Sequence, residues 1–195
     1  CEPDDFFTPR RASLEQVLRV HEKDYVDRLC RLELTKSEVR SIGFPLSEAL
    51  VQREFLIAGG TIEGAEKALS EGIAMNIAGG THHAFPDRGE AFCLLNDQAI
   101  AAQHLLDSGQ AKKILVLDLD VHQGNGTAVI FKDHPDVFTC SVHGAKNYPF
   151  RKEKSDWDLP LEDQCADLTY LNQLKTLLPK LYENVQPDFI FYLYG

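Results

Sequence analysis

The run Leu117-Asp118-Leu119-Asp120-Val121-His122-Gln123-Gly124-Asn125-Gly126-Thr127 constrains this chain more than any other stretch of it. A short apolar segment, 114–119, passes straight into polar residues and a glycine-rich turn, the pattern of a buried strand leaving its sheet. In extended backbone alternate side chains share a face, so Asp118, Asp120 and His122 point one way and Leu119 and Val121 the other. An aspartate oxygen and an imidazole nitrogen two residues apart can both reach one divalent ion at about 2 Å, while a further carboxylate orients a ligand from behind. The plainer reading is a strand entering a turn whose aspartates cap nearby amides, with His122 merely solvated. Gly124-Asn125-Gly126 completes neither G-x-x-x-x-G-K-[ST] nor G-x-G-x-x-G, so nucleotide binding is not signalled.

Around this run, short apolar segments alternate with helical ones. Strands are predicted at 73–77, 114–119, 137–142 and 189–193, with helices at 97–107, near 127–131 and at 168–183. That alternation predicts an α/β domain with a mostly parallel sheet, in which ligands gather at the carboxyl ends of strands. The first third reads as helical. Ser13-Leu14-Glu15-Gln16 has the capping-box pattern, a second helix covers about 22–32, and one long helix or a pair runs over 47–70 around Gly59-Gly60, stopped by Gly72. No repeat, low-complexity tract or linker divides residues 1–195, so one domain is expected.

A second polar cluster, Gly79-Gly80-Thr81-His82-His83-Ala84-Phe85, directly follows the apolar run 73–77. Two imidazoles, an Asp-x-His pair and a spare Asp118 are the parts needed for metal-assisted hydrolysis, in which an ion polarises a carbonyl and acidifies water while a histidine moves protons. A third stretch runs from Asp87 to Asp97. There Asn96 or Asp97 reads as the cap of the following helix, Phe92 as either core or the apolar wall of a substrate channel, and Cys93 as a packed thiol without a base beside it. His143 ends a strand and reads better as a satisfied structural histidine than as a pocket residue. His21, His104 and His134 read as structural or surface groups.

Composition excludes several classes. The 195 residues are 44% hydrophobic and 26% charged, which is globular rather than disordered. A formal charge of −10 and the lack of any dense Lys/Arg run argue against direct nucleic-acid binding. Cys1, Cys30, Cys93, Cys140 and Cys165 are widely spaced with no C-x-x-C, so a reducing compartment is expected and no cysteine zinc site is signalled. No apolar stretch approaches the roughly 20 residues needed to span a bilayer, and no secretory leader pattern opens the sequence, so a cytoplasmic location is expected. The first residue is Cys and the last residues form a strand-like apolar run, so a fragment of a longer protein is expected.

Taken together, Gly79-Gly80-Thr81-His82-His83, Phe92-Cys93-Leu94-Leu95-Asn96-Asp97 and Asp118-Leu119-Asp120-Val121-His122-Gln123-Gly124-Asn125-Gly126 resemble the histone deacetylase family in order and separation. His21-Glu22-Lys23-Asp24-Tyr25 is similar to the family's amino-terminal His-x-x-x-Tyr signature. Gln123 and Leu50-Val51-Gln52-Arg53 look more like the class IV type and its bacterial relatives. The resemblance implies an arginase/deacetylase-like three-layer α/β fold, incomplete at its carboxyl-terminal end, and hydrolysis of an acetyl-lysine amide with Zn²⁺ or another divalent ion such as Fe²⁺. Residue by residue it implies that Asp120 and His122 hold the metal and Asp118 orients His82. It further implies that Asn125 lies opposite His83, that His83 is the general base and acid with His82 assisting, and that Phe92 and Tyr148 wall the acyl-lysine channel.

Some departures go with it. The family's third metal ligand and its catalytic Tyr are expected past Gly195, and Tyr192 and Tyr194 fall in the strand before them, so this polypeptide alone is expected to be weak or inactive. Ala91 stands where relatives usually carry Gly. An arginase-type binuclear site is not matched, because Gly124 follows Asp120-x-His122 where a second carboxylate belongs. The expected substrate is an acetyl-lysine protein or a small acetylated amine. An acetylpolyamine or other small-amide hydrolase and a non-catalytic acyl-lysine-binding module remain alternatives.

Overall fold

The computed structural model describes residues 6–194; Cys1, among the cysteines read above, lies outside them. The chain forms two compact units, Cys1–Asp107 and Ser108–Gly195.

The first unit is helical: α1 (Leu14–Leu18), α2 (Lys23–Cys30), α3 (Lys36–Ile42), α4 (Glu48–Glu71) and α5 (Asp97–Asp107). The Ser13 hydroxyl accepts the Gln16 amide and the Gln16 side chain returns to the Ser13 amide, so the expected capping box does start α1. Helix α3 was not foreseen, although Thr35 and Glu38 form a second capping box and Gly43 closes it at φ +84°. Its two apolar residues, Val39 and Ile42, are too few to give a clear 3.6-residue period. The stretch around Gly59-Gly60 is one continuous 24-residue helix. A Cβ on Gly59 would lie 1.9 Å from the Arg10 carbonyl oxygen, so this glycine serves close backbone approach and does not break α4. Helix α4 packs along α5, burying Phe55, Ala58, Ile62 and Ala65 on one helix and Ala99, Ile100 and Ala102 on the other.

The strand expected at 73–77 is absent. Ile73, Met75 and Ile77 alternate as a strand's apolar residues would, yet they are 82%, 81% and 84% exposed. Period-two patterning supplies a face but no ladder, and among the described residues no strand pairs with this segment.

The second unit is the α/β part: β1 (Ile114–Asp118), α6 (Asn125–Ile130), β2 (Val137–Gly144), β3 (Trp157–Leu161), α7 (Asp167–Val185) and β4 (Phe189–Leu193). Its strands run in the order β3-β2-β1-β4, every pairing parallel, with Asp118 level with Ser141 on one side and Leu193 on the other. Strand β3 carries Pro160 and was not predicted; proline is tolerated there because β3 is an edge strand. Leu177, Leu181 and Val185, four residues apart along α7, pack on Leu115 and Leu117 of β1 and on Cys140 and Val142 of β2. Side chains alternate along β1, so Val116 and Asp118 face away from that core.

Candidate active site

In the second unit, β1 stops at Asp118, so Asp120 and His122 lie in a bend beyond the strand. Strand alternation therefore does not extend over the three polar residues. A ladder of side-chain to backbone hydrogen bonds links them instead: Asp118 Oδ1 accepts the Asp120 amide at 3.0 Å, and Asp120 Oδ1 accepts the His122 amide at 2.7 Å. The same Asp120 oxygen lies 2.9 Å from His122 Nδ1. The aspartates thus cap amides, as the plainer reading expects, and in doing so bring one carboxylate beside an imidazole. Asp118 is buried, and the Asp120 and His122 side chains are 15% and 41% exposed. The bend is tied down where the Gly144 amide donates to the Val121 carbonyl at 2.9 Å.

Asn125 opens α6 and is buried, its Oδ1 accepting the Gly126 amide at 3.1 Å. Tyr148 stands edge-on to His122 with ring centroids 6.1 Å apart, and its carbonyl accepts the Gln123 amide. Gln123, read in the sequence only as a family marker, is a buried organiser of the same region. Its Nε2 donates to the Glu153 carbonyl and to Asp158 Oδ1, each at 2.8 Å, and its Oε1 accepts the Glu153 amide at 2.9 Å. Nothing in the sequence marks a glutamine for such work. His143 is structural as expected: it is buried, 3.0 Å from the Ser141 hydroxyl, and burial lowers its pKa.

In the first unit, His82 and His83 are both 5% exposed, with ring centroids 4.0 Å apart. Their loop is held by Asp97. The Asp97 carboxylate accepts the Gly80 amide at 3.0 Å, the Thr81 amide at 2.8 Å, and the Thr81 and Thr61 hydroxyls at 2.6 Å. Gly79 leaves room for this, since a Cβ there would lie 2.6 Å from Asp97 Oδ2. The helix cap is Asn96, whose Oδ1 accepts the Ala99 amide at 3.0 Å. Asp97, one of the two candidates for that cap, is instead the anchor of the histidine loop.

Phe92 is not core. It is 60% exposed, and it and Ala91 take the left-handed backbone at φ +68° and +45°. That conformation is held by their amides, which donate to the Ile42 and Ser41 carbonyls at 2.7 and 3.0 Å, and by the Phe92 ring against Phe44 at 5.1 Å. Cys93 is the buried, packed thiol that the sequence suggested. Glu54, on α4, is a buried acid that sequence reasoning missed. Burial raises its pKa to about 7, against the opposing pull of Arg53 and the Leu94 and Leu95 amides.

Among the described residues no group of three or more His, Cys, Asp or Glu side chains is arranged to hold a metal ion. Asp120 and His122 supply two adjacent donors of the right chemistry, and a catalytic zinc takes three protein ligands and a water, so the pair fits part of a ligand set. No helix among the described residues is long and apolar enough to cross a membrane.

A parallel α/β sheet with Asp-x-Asp-x-His at the carboxyl end of a strand, in a chain that also carries a buried histidine pair after two glycines, defines the arginase/deacetylase fold. Residues 2–195 match the histone deacetylase domain, and the chain belongs to that family. It is 47% identical over 191 residues to an uncharacterized protein of Picosynechococcus sp., covering 98% of this chain and 64% of that protein. It is 31% identical to a probable deacetylase of Archaeoglobus fulgidus, covering 93% of this chain and 54% of the relative. Among solved structures it is similar to an HDAC homolog from Aquifex aeolicus, with a TM-score of 0.85 at 27% identity over 98% of this chain and 57% of that one. The chain thus spans between about half and two thirds of the length of these relatives.

Proposed function

We propose that this chain serves a metal-dependent amide hydrolase that removes acetyl groups from lysine side chains. The observation that carries the reading is the Asp120–His122 pair, a carboxylate oxygen and an imidazole nitrogen 2.9 Å apart beyond the end of β1 in a chain of this family. Asp120 and His122 would hold a divalent ion, Zn²⁺ or Fe²⁺, as part of its ligand set. Such an ion, when bound, polarises an amide carbonyl and lowers the pKa of water. His83 takes a proton from the attacking water and returns it to the departing amine, with His82 beside it as an electrostatic partner. Phe92 is exposed on a strained turn and Tyr148 stands edge-on to His122, and each presents an aromatic surface suited to contact with an acyl-lysine chain. Asn125 and Asp118 serve as polar supports.

The substrate is an acetyl-lysine protein or a small acetylated amine. A net charge of −10 suits a cationic lysine-bearing partner and not a nucleic acid. Cys30, Cys93, Cys140 and Cys165 are present as thiols, which suits a reducing compartment such as the cytoplasm. The test is metal content together with deacetylation of a fluorogenic acetyl-lysine peptide by the full protein carrying this chain. Metal and turnover, both lost in His122→Ala, with turnover alone lost in His83→Ala, are expected. Bound metal with intact acetyl-lysine and cleavage of acetylated polyamines would move the substrate to small amides, and acyl-lysine binding without cleavage of any amide would sink the catalytic reading.

A further inference from the structure

The first unit contains another buried histidine that the reaction outlined above leaves unused. His21 sits between α1 and α2, 2% exposed, with both ring nitrogens committed. Nε2 accepts the backbone N–H of Asn96 at 2.9 Å, and Nδ1 lies 2.9 Å from the carbonyl oxygen of Phe85. A backbone amide can only donate, so Nε2 carries no proton. The ring proton is therefore on Nδ1, where it donates to Phe85. The ring is neutral, and burial lowers its pKa to about 4.

The two partners belong to different loops. Phe85 lies two residues past His83, and Asn96 lies four residues past Phe92. Neighbouring bonds repeat the pattern. The Glu22 amide donates to the Pro86 carbonyl at 2.7 Å, beside the histidine loop, and the Tyr25 hydroxyl donates to the Leu94 carbonyl at 2.9 Å, in the loop that follows Phe92. Tyr25 is 1% exposed, and its ring stands 6.1 Å from that of His21, so the His-x-x-x-Tyr spacing turns both groups toward the same two segments. Between these loops themselves, the described bonds include Thr81 Oγ1 to Leu95 O at 2.5 Å and Asn96 Nδ2 to Ala84 O at 3.4 Å. The imidazole is thus a rigid spacer with a donor on one side and an acceptor on the other.

We propose that His21 is a positioning residue: as a neutral Nδ1–H imidazole it sets the spacing between the loop that carries His82 and His83 and the loop that carries Phe92. The proposal rests on the reading of that histidine pair as proton carriers, and His21 itself touches no substrate. Two conservative replacements separate its two bonds. An asparagine amide nitrogen falls near the Nδ1 position and can still donate to Phe85, while a glutamine oxygen falls near Nε2 and can still accept from Asn96.

The experiment combines kinetics with nuclear magnetic resonance on the full protein. Long-range ¹H–¹⁵N spectra of the parent protein should show His21 as the Nδ1–H tautomer with no titration near pH 6.5. His21→Gln should speed amide exchange at His82, Ala84 and Phe85 by about tenfold, the equivalent of one lost buried hydrogen bond, while sparing Asn96. His21→Asn should do the reverse. With an acetyl-lysine peptide, His21→Gln should lower kcat with little change in KM, and His21→Asn should raise KM with kcat largely kept. An Nε2–H tautomer, or equal loosening of both loops in both variants, would overturn the proposal. If no acyl amide is turned over, the functional reading fails, and the spectra and exchange rates still decide the role of His21.

Discussion

Asp120 Oδ1 accepts the backbone amide of His122 at 2.7 Å and lies 2.9 Å from that residue's own Nδ1. One oxygen thus shapes the turn and faces the imidazole, so the residue's structural and chemical roles can be separated by substitution. Asp120→Asn keeps an oxygen for the His122 amide but removes the anionic donor. The expected outcome is an unfolding midpoint within about 2 °C of the parent, because the turn bond survives, and loss of bound divalent metal. Removing groups behind metal ligands costs 10–100-fold, so loss of a ligand should lower deacetylation by roughly 100-fold or more. Metal analysis beside a thermal melt checks this; full metal content in Asp120→Asn would remove Asp120 from the ligand set.

Asp97 offers a second separation. Its carboxylate accepts two backbone amides and two hydroxyls from the histidine loop and α4. Asp97→Ala leaves those donors without their acceptor in a buried site, a penalty of about 1–3 kcal/mol for each that finds no water. A loss of about 3 kcal/mol or more in urea unfolding is expected, whereas Asn96→Ala should cost about 1 kcal/mol as a cap. Equal losses in the two variants would contradict the assignment of anchor and cap.

These two residues also show what a sequence can and cannot display. Neighbouring Asn96 and Asp97 are both good cap residues, and only the positions of Gly80 and Thr81, brought close by the fold, tell them apart. Strand β1 was legible because its apolar run is buried between two neighbours, and β4 because its apolar run pairs along β1, while the apolar segment 73–77 has no strand beside it among the described residues. Sequence gives a segment its preference, and pairing is a property of two segments. The Asp-x-Asp-x-His run was expected to act as an extended strand, and the structure makes it a hydrogen-bonded bend beyond the end of β1. Gln123 and Glu54 were invisible for a related reason, since their importance lies in burial against backbone groups far along the chain.

Ala91 and Phe92 take left-handed backbone in succession, at φ +45° and +68°. A Cβ in that region costs roughly 1 kcal/mol, which glycine avoids at some expense in chain entropy. Ala91→Gly is therefore expected to stabilise the protein by about 0.5–1 kcal/mol in chemical denaturation, with the amide bond to Ser41 retained. Phe92→Ala should behave differently, since a ring 60% exposed has little burial to lose. Its expected effect is a raised KM for acetyl-lysine peptide with a stability change under about 1 kcal/mol. A large stability loss with unchanged KM would return Phe92 to the core.

Glu54 and His21 give the first unit two opposed proton linkages. The Glu54 pKa rises from 4.5 to about 7 on folding, mainly through burial, with Asp97 also pushing it up and Arg53 and two amides resisting. The folded protein therefore holds this proton more tightly than the unfolded chain. Its contribution is full below pH 4.5 and is lost as pH rises toward 7, by roughly 3 kcal/mol at 1.36 kcal/mol per pH unit. His21 falls from 6.5 to about 4, again through burial, with the Phe85 and Pro86 carbonyls opposing. Its contribution is full above pH 6.5 and is lost as pH falls through 4, by a similar roughly 3 kcal/mol. Between pH 4.5 and 6.5 the two slopes nearly cancel, so neither is visible in the parent protein. Glu54→Gln removes the falling slope: relative to the parent, its urea midpoint should rise as pH goes from 4.5 to 7. His21→Gln removes the rising slope, and its midpoint should fall relative to the parent from pH 4 to 6.5. Parallel profiles for the three proteins would mean that neither group changes its proton affinity on folding.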